Sequence, residues 1–333
     1  MLFINNENIT DPRVNLALEE YALRHLPADE NYLLFYINEP SIIIGKNQNT
    51  IEEINPEYVK EQGLHVVRRL SGGGAVYHDL GNLNFSFITK DDGNSFHNFQ
   101  KFTEPVVAAL RNLGVEAALS GRNDIQVGER KISGNAQFAT KGRMFSHGTL
   151  LFNSEIENVV RALKVNPDKI QSKGIKSIRS RVANITEFLQ HPITIEQFRK
   201  KLLESIFGTE EARVPHYKLT AEDWGRIHEL STERYQNWDW NYGKSPKSTI
   251  QSSKRFEGVG TLDIRMDIEG GHINNMKIYG DFFGAYDVAE IEDLLRGARY
   301  EESAIRERLA GVELRRYFGA SDPEAFVDLL LFT

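Results

Sequence analysis

The sequence predicts an α+β protein: a large domain with a mixed, largely antiparallel sheet and flanking helices, followed by a small α+β C-terminal domain. Three observations carry this prediction. Short apolar runs with period-two spacing recur between glycine and proline turns, and helical periodicity separates some of them. Other strand pairs return through hairpins, which favours an antiparallel sheet over a doubly wound parallel one. Finally, the stretch GKSPKSTIQSSK at Gly243–Lys254 is rich in Ser, Lys, Pro and Gly, and the texture of the chain changes after it. The boundary is therefore placed at 1–247 and 248–333.

Asp11-Pro12 opens an amphipathic helix over Asn15–Arg24, with Leu16, Ala17, Leu18, Tyr21 and Ala22 as its apolar positions. Tyr32–Ile37 and Ser41–Ile44 read as two strands joined around Pro40. Leu64, Val66 and Val67 mark a short buried strand, and Phe85, Phe87 and Ile88 another. Thr103–Leu113 is predicted helical, with Val106, Val107, Leu110 and Leu113 on one face and Gly114 as its stop. Asp124–Val127 and Arg130–Ile132 form a hairpin turning at Gly128-Glu129. Gly148–Phe152 is one more strand. Beyond the boundary, Leu262, Ile264, Met266 and Ile268 alternate with Asp263, Arg265 and Asp267, and Gly270-Gly271 returns the chain to a strand ending near Tyr279. Helical patterns at Val288–Leu295, Ser303–Leu309 and Pro323–Leu331 complete a unit of two strands and three short helices.

Composition narrows the functional classes. The chain has 333 residues, 40% hydrophobic and 26% charged, which is ordinary for a globular protein. A net charge of −7 argues against general nucleic-acid binding. No 18-residue apolar run predicts a membrane span, and MLFINNENITDP lacks the features of a signal peptide, so a cytoplasmic protein is expected. No stripe of apolar residues marks a dimer face, so a monomer is expected. Cysteine is absent, which removes disulfides, thiolate–metal sites and any acyl-thioester enzyme mechanism. The nine histidines show no tight metal-ligand spacing.

Two clusters carry chemistry. In RRLSGGGAVYHDLGN, Arg68 to Asn82, two arginines precede three glycines between strand patterns. Glycine backbone permits close approach to a ligand, and arginine forks suit a carboxylate or phosphate. On spacing alone, a glycine-rich hairpin with exposed arginines is the alternative. In GRNDIQVGERKISGNA, Gly121 to Ala136, the hairpin could bring Asp124 and Lys131 to one ligand. A hard oxygen ligand beside a phosphate-binding lysine suits a magnesium nucleotide. A hairpin with solvated charges is the alternative there.

Together with HGTLL at His147, KGIKSIRSRVANITE at Lys173–Glu187 and WDWNYGKSP at Trp238–Pro246, these motifs resemble the lipoate–protein ligases, in that family's order and spacing and over most of the chain. The resemblance implies a biotin/lipoate ligase-like fold related to the class II synthetases, in its longer two-domain form. It also implies the activity: ATP activates free lipoate to lipoyl-AMP, releasing pyrophosphate, and a lysine of a lipoyl carrier domain displaces AMP. The implied carriers are the 2-oxoacid dehydrogenase acyltransferase subunits and the glycine-cleavage H protein, with octanoate as a related acyl acid.

Residue by residue, Lys131 matches the lysine that meets both the acyl carboxylate and the phosphate, and takes the central catalytic role. Arg69 and the backbone of Gly74, Ala75, Val76 and Tyr77 match the nucleotide-contacting segment, joined by Asn82 and Asn123. Arg68, Ser71, Gly73, His78 and His147 match positions lining the acyl site, although each histidine alone reads equally well as a structural one. Asp124 is the candidate ligand of Mg2+. Lys173, Arg179 and Arg181 lie in a cation-rich run that the resemblance makes a segment ordering over the adenylate. Phe138 departs from the pattern, standing where some relatives carry an arginine near the lipoate carboxylate.

Three other classes are weighed. A biotin ligase shares the chemistry, but its GRGRxG run is absent and RRLSGGGAV stands instead. An acyl-carrier-dependent transferase of this superfamily needs a cysteine. A carrier-binding module without catalysis leaves Lys131, Asp124 and the triple glycine without purpose.

Overall fold

The computed structural model describes residues 1–163, 181–242, 250–269, 271–319 and 322–331. Its centre is an eight-stranded sheet. The strands are β1 (Leu2–Asn5), β2 (Tyr32–Ile37), β6 (Asn82–Lys90), β7 (Ala117–Ser120), β8 (Asp124–Val127), β9 (Arg130–Thr140), β10 (Arg143–Leu151) and β11 (His216–Tyr217). Their order is β11-β1-β2-β6-β10-β9-β8-β7. β1 runs parallel to both neighbours, and the remaining pairs are antiparallel, so the sheet is mixed and largely antiparallel as expected.

Strand β2, YLLFYI, is apolar at every position because both its faces are covered. Leu33 and Phe35 pack against Val106, Val107 and Leu110 of the helix Phe99–Asn112 and Phe198 and Leu202 of the helix Ile195–Phe207. Tyr32, Leu34 and Tyr36 face the opposite layer, where Leu16, Ala17, Leu18 and Leu23 of the helix Pro12–His25 pack. That helix starts as the sequence signals: Pro12 sits in its first turn and Asp11 caps it by accepting from the Arg13 amide. Its buried face is not purely apolar, since Asn15, Glu19 and Glu20 are buried with the leucines.

Strands β3 (Ser41–Ile44), β4 (His65–Arg68) and β5 (Val76–His78) form a separate three-stranded sheet in the order β4-β3-β5. The glycine turn therefore joins β4 to β5, and β6 belongs to the main sheet. The strands on either side of Pro40 likewise fall into different sheets.

A second unit begins at β12 (Ile250–Phe256), which pairs with β13 (Gly260–Glu269), itself paired with β14 (His272–Gly280). It has three strands where two were expected, because β12 occupies part of the presumed linker. Ser252 and Lys254 share a strand face with Ile250 and Phe256, so the core side itself carries little apolar alternation to read. Leu262, Ile264 and Met266 point inward onto Ile291, Leu295, Ile305 and Phe326 of the three helices that the sequence signalled.

The unit touches the main body through the β12–β13 turn, whose Gly258 and Val259 carbonyls accept from Arg122, and through the end of β14 and the loop after it. The amide of Gly280 donates to the Asn47 carbonyl at 2.6 Å, and Lys46 Nζ lies 3.4 Å from Asp287 Oδ2. Phe283 meets Phe99 edge-on at 5.8 Å, while the Arg122 guanidinium stacks 4.4 Å from its ring centre.

Candidate active site

The β9–β10 hairpin, β5 and the glycine turn enclose a cavity of about 150 Å³ between the two sheets. Period two decides which β5 residues reach it. Val76 and His78 line it, whereas the Tyr77 side chain turns into the cluster of Ile42, Ile44 and Tyr58, leaving only its backbone for a ligand.

The hairpin brings Asp124 and Lys131 together more closely than one ligand would require: Lys131 Nζ lies 2.8 Å from Asp124 Oδ1. Lys131 borders the cavity with Asn123 beside it. Its backbone is clamped on the other side, donating to the Arg181 carbonyl at 2.7 Å and accepting from the Ala183 amide at 2.9 Å. Arg181 contributes that carbonyl while its side chain is exposed, away from the cavity. Lys173 and Arg179 lie outside the described residues.

The two adjacent arginines diverge. Arg69 borders the cavity and spends its guanidinium on the turn, donating to the carbonyls of Gly72 at 2.7 Å and Gly74 at 2.9 Å and to Ser71 Oγ at 3.0 Å. Burial lowers its pKa to about 10. Arg68, expected at the acyl site, is not among the residues lining this cavity. Its guanidinium is committed to the carbonyls of Gly45, Gln48, Trp240 and Asn241 and to Thr50 Oγ1, so it braces the loop behind the cavity. Asn82 is likewise one step removed: its Nδ2 donates to Asn84 Oδ1, and Asn84 is the residue that lines the cavity.

Gly73, Gly74 and Ala75 line the cavity. The close approach that Gly73 permits is to the chain itself. It has φ +91°, and a Cβ there would lie 2.8 Å from the Phe283 ring. Gly148 serves a similar purpose: a Cβ would meet Asn135 Oδ1 at 2.2 Å. Asn135 Nδ2 donates to the Asn123 carbonyl and to Ser133 Oγ, which leaves its buried Oδ1 as an acceptor with no partner among the described residues.

Both expected histidines line the cavity. His147 places Nδ1 2.9 Å from Glu19 Oε1 and Nε2 2.7 Å from Ser71 Oγ. Ser71 itself is fully buried and reaches the cavity only through its partners. His78 is held neutral, its pKa pushed down to about 3 by burial and then by the charges of Arg69 and His147. Phe138 packs 5.7 Å from Phe145, and the Lys46 ammonium lies over its ring at 5.8 Å.

Several lining residues escaped the sequence reading: Tyr36, Asn84, Asn135 and Phe283 among them. Asn84 was legible, since it lies two positions along β6 from Asn82 on the same strand face. Phe283 was not, because it arrives from the C-terminal unit with no local signal.

No cluster of three or more metal-ligating His, Asp or Glu side chains occurs among the described residues. A lone carboxylate beside the cavity is nevertheless what magnesium uses when substrate phosphates supply its other ligands. Asp124 fits that requirement.

Comparison with known proteins decides the family. Residues 11–207 match the lipoyl protein ligase A/B catalytic domain, and residues 245–330 match the bacterial lipoate protein ligase C-terminus. The chain belongs to the lipoate–protein ligases. It is 66% identical to the lipoate-protein ligase LplJ of Bacillus subtilis (strain 168) over 331 residues, 99% of this chain and 100% of that one. Among solved structures it resembles Plasmodium falciparum LipL1 in complex with lipoate, with 28% identity, 99% of this chain and 97% of that one covered, and a TM-score of 0.77. A lipoate-protein ligase A bound with ATP matches at 30% identity, covering 73% of this chain and 98% of that one, with a TM-score of 0.62. The enzyme is thus a ligase of this class. No helix of the described residues is long and apolar enough to cross a membrane.

Proposed function

We propose that in the cavity the lipoate carboxylate attacks the α-phosphate of ATP, giving lipoyl-AMP and releasing pyrophosphate, and that the amine of a lysine on a lipoyl carrier domain then attacks the acyl carbon, forming the amide and releasing AMP. A carboxylate is a poor electrophile until its oxygen is converted to a leaving group. Bringing it to the α-phosphate sets two anions against each other, so a cation between them is required. Lys131 is that cation. Its pairing with Asp124 carries the reading, because it puts an ammonium and a potential magnesium ligand at one edge of one cavity.

Within this reading, Gly74, Ala75 and Val76 offer backbone to the nucleotide, with Arg69 bracing the turn and Asn123 beside the lysine. Gly73, His78 and His147 face the acyl group, and Leu16, Tyr36 and Ile43 give it apolar wall. Asp124 would hold Mg2+, which shields the phosphate oxygens when bound. The carriers proposed are 2-oxoacid dehydrogenase acyltransferase domains and the glycine-cleavage H protein. Lipoate-dependent exchange of pyrophosphate into ATP tests the first step. Exchange without carrier is expected; none in active, folded protein would overturn the adenylate route.

The division at 1–247 and 248–333 is proposed to separate activation from delivery. Phe283 qualifies it, since the second unit supplies one wall of the cavity. Removal of 248–333 should depress transfer from added lipoyl-AMP more than its formation. The opposite order would reverse the assignment.

A further inference from the structure

The buried polar residues of the helix Pro12–His25 are more than its packing requires, and one of them leads to the cavity. Asn15 is fully buried. Its Nδ2 lies 2.9 Å from the Ile9 carbonyl and 3.3 Å from that of Ile37, while its Oδ1 accepts from Asn6 Nδ2 at 3.0 Å. Backbone carbonyls only accept, so these contacts fix which end of the amide is nitrogen. The same Nδ2 donates to Asn38 Oδ1 at 2.9 Å. Asn38 is therefore fixed as well, and its Nδ2 donates to His78 Nδ1 at 3.0 Å.

A neutral imidazole that accepts at Nδ1 carries its proton on Nε2. His78 Nε2 is buried and has no hydrogen-bond partner among the described residues, and the ring lines the cavity. A buried donor of this kind is unfavourable unless something satisfies it. A ligand oxygen can do so.

We propose that Asn15, acting through Asn38, is a positioning residue that holds His78 as its Nε2–H tautomer, giving the cavity a fixed donor for a carboxyl or acyl carbonyl oxygen of the substrate. This rests on the acyl-activating reading above. The donor needs no proton transfer and no change of charge. The amide chain decides which ring nitrogen carries the hydrogen, as a second shell orients a histidine that binds a metal.

The test uses the full-length protein with 15N-labelled imidazoles, the His78 signals being assigned by substituting His78. In the wild type, His78 should be the Nε2–H form, and adding lipoate should shift its Nε2 resonance. Asn15→Asp turns that position into an acceptor. Asn38 must then rotate, its oxygen faces His78, and the ring should switch to Nδ1–H. KM for lipoate should rise by about tenfold or more, as expected for one lost hydrogen bond to a charged group, while KM for ATP stays within about twofold.

Asn15→Asp also sets a carboxylate against the Ile9 and Ile37 carbonyls and costs stability, so Asn38→Leu is the second variant. It removes the donor to Nδ1 and should give a mixture of tautomers with an intermediate KM. A role confined to packing would lower the melting temperature of either variant without moving the tautomer or splitting the two KM values. An Nδ1–H wild-type ring, or a switched tautomer with unchanged lipoate KM, would overturn the proposal. If lipoate fails to bind the wild type, the acyl-activating reading falls, and with it the substrate assigned to this donor. The tautomer measurement made without lipoate separates that failure from a failure of the amide chain.

Discussion

The carbonyl oxygen of Phe282 accepts a hydrogen bond from the Gly73 amide at 3.3 Å, so the glycine turn is closed by a loop lying more than 200 residues further along the chain. The same loop sets the Phe283 ring against Gly73 and into the cavity wall. Small residues in this turn thus serve two surfaces, one facing the cavity and one facing the C-terminal unit.

That double duty separates neighbouring glycines. Gly73→Val forces a branched residue to φ +91° and against Phe283, whereas a Cβ on Gly74 meets nothing within 4 Å. The first variant should lose stability by more than about 1–2 kcal/mol, the usual strain of a left-handed side chain. Gly74→Val should melt near the wild type yet bind ATP poorly, because its side chain enters space assigned to the nucleotide. Calorimetry in the presence of a lipoate analogue, paired with melting curves, checks both; unchanged ATP affinity in Gly74→Val refutes the assignment.

Lys131→Ala removes the one cation placed between carboxylate and α-phosphate. Lipoyl-AMP formation should fall by at least about a hundredfold, comparable to losing an oxyanion-hole donor. The fold should survive, because the side chain is more than a third exposed. Near-normal adenylate formation by this variant would remove Lys131 from its central role.

Glu19 was absent from the sequence reading, yet it holds His147 through Nδ1 from within the core. Glu19→Ala should cost about 1–3 kcal/mol by leaving a buried ring donor without its partner. It should also lower kcat/KM by about tenfold or more, through loss of ring orientation. Glu19→Gln keeps an oxygen that can accept from Nδ1 and should retain most of the activity. Equal losses in the two variants would mean that the charge, rather than the orientation, matters.

The neutral state of His78 gives a pH dependence with a definite sign. Its pKa falls from 6.5 to about 3 on folding. Between those values the unfolded chain binds the extra proton and the folded chain does not, so stability drops as pH falls from 6.5 toward 3. The contribution of this one ring is at most about 1.4 kcal/mol per pH unit. Urea unfolding from about pH 7 to pH 4.5 should show a shallower decline for His78→Gln than for the wild type. Parallel declines would show that the ring titrates normally in the folded protein.

Much of this architecture could be read from local patterns. Tyr32–Ile37 and Ser41–Ile44 match β2 and β3 at both ends, because their apolar runs are bounded by turn residues. The hairpin at Gly128-Glu129 followed from its flanking alternation. The helices Ile195–Phe207 and Ala221–Leu230 went unread, although Thr194 with Gln197 and Thr220 with Asp223 form capping boxes that could have marked them. Asn15 and Glu19 were passed over for a different reason. Helical periodicity assigns polar residues to solvent, and only three-dimensional neighbours reveal a polar group turned inward. For Arg68 the local pattern, an arginine beside a glycine turn, points to a ligand contact, while the partners of its donors, the loop at Gly45–Thr50 and the chain at Trp240–Asn241, are distant in sequence and carry no local signal.

Arg68 also has a temporal consequence. Its partners span positions 45 to 241, and β1 takes Tyr32–Phe35 on one side and His216–Tyr217 on the other. A chain emerging from the ribosome can form the β7–β8–β9–β10 meander early, but the outer edge of the sheet and the brace behind the cavity must wait until between about two-thirds and three-quarters of the chain has been made. Contacts of such sequence separation close slowly. During synthesis, the growing polypeptide therefore carries a buried-type arginine and an open strand edge for many seconds, and these are the surfaces a chaperone would meet first.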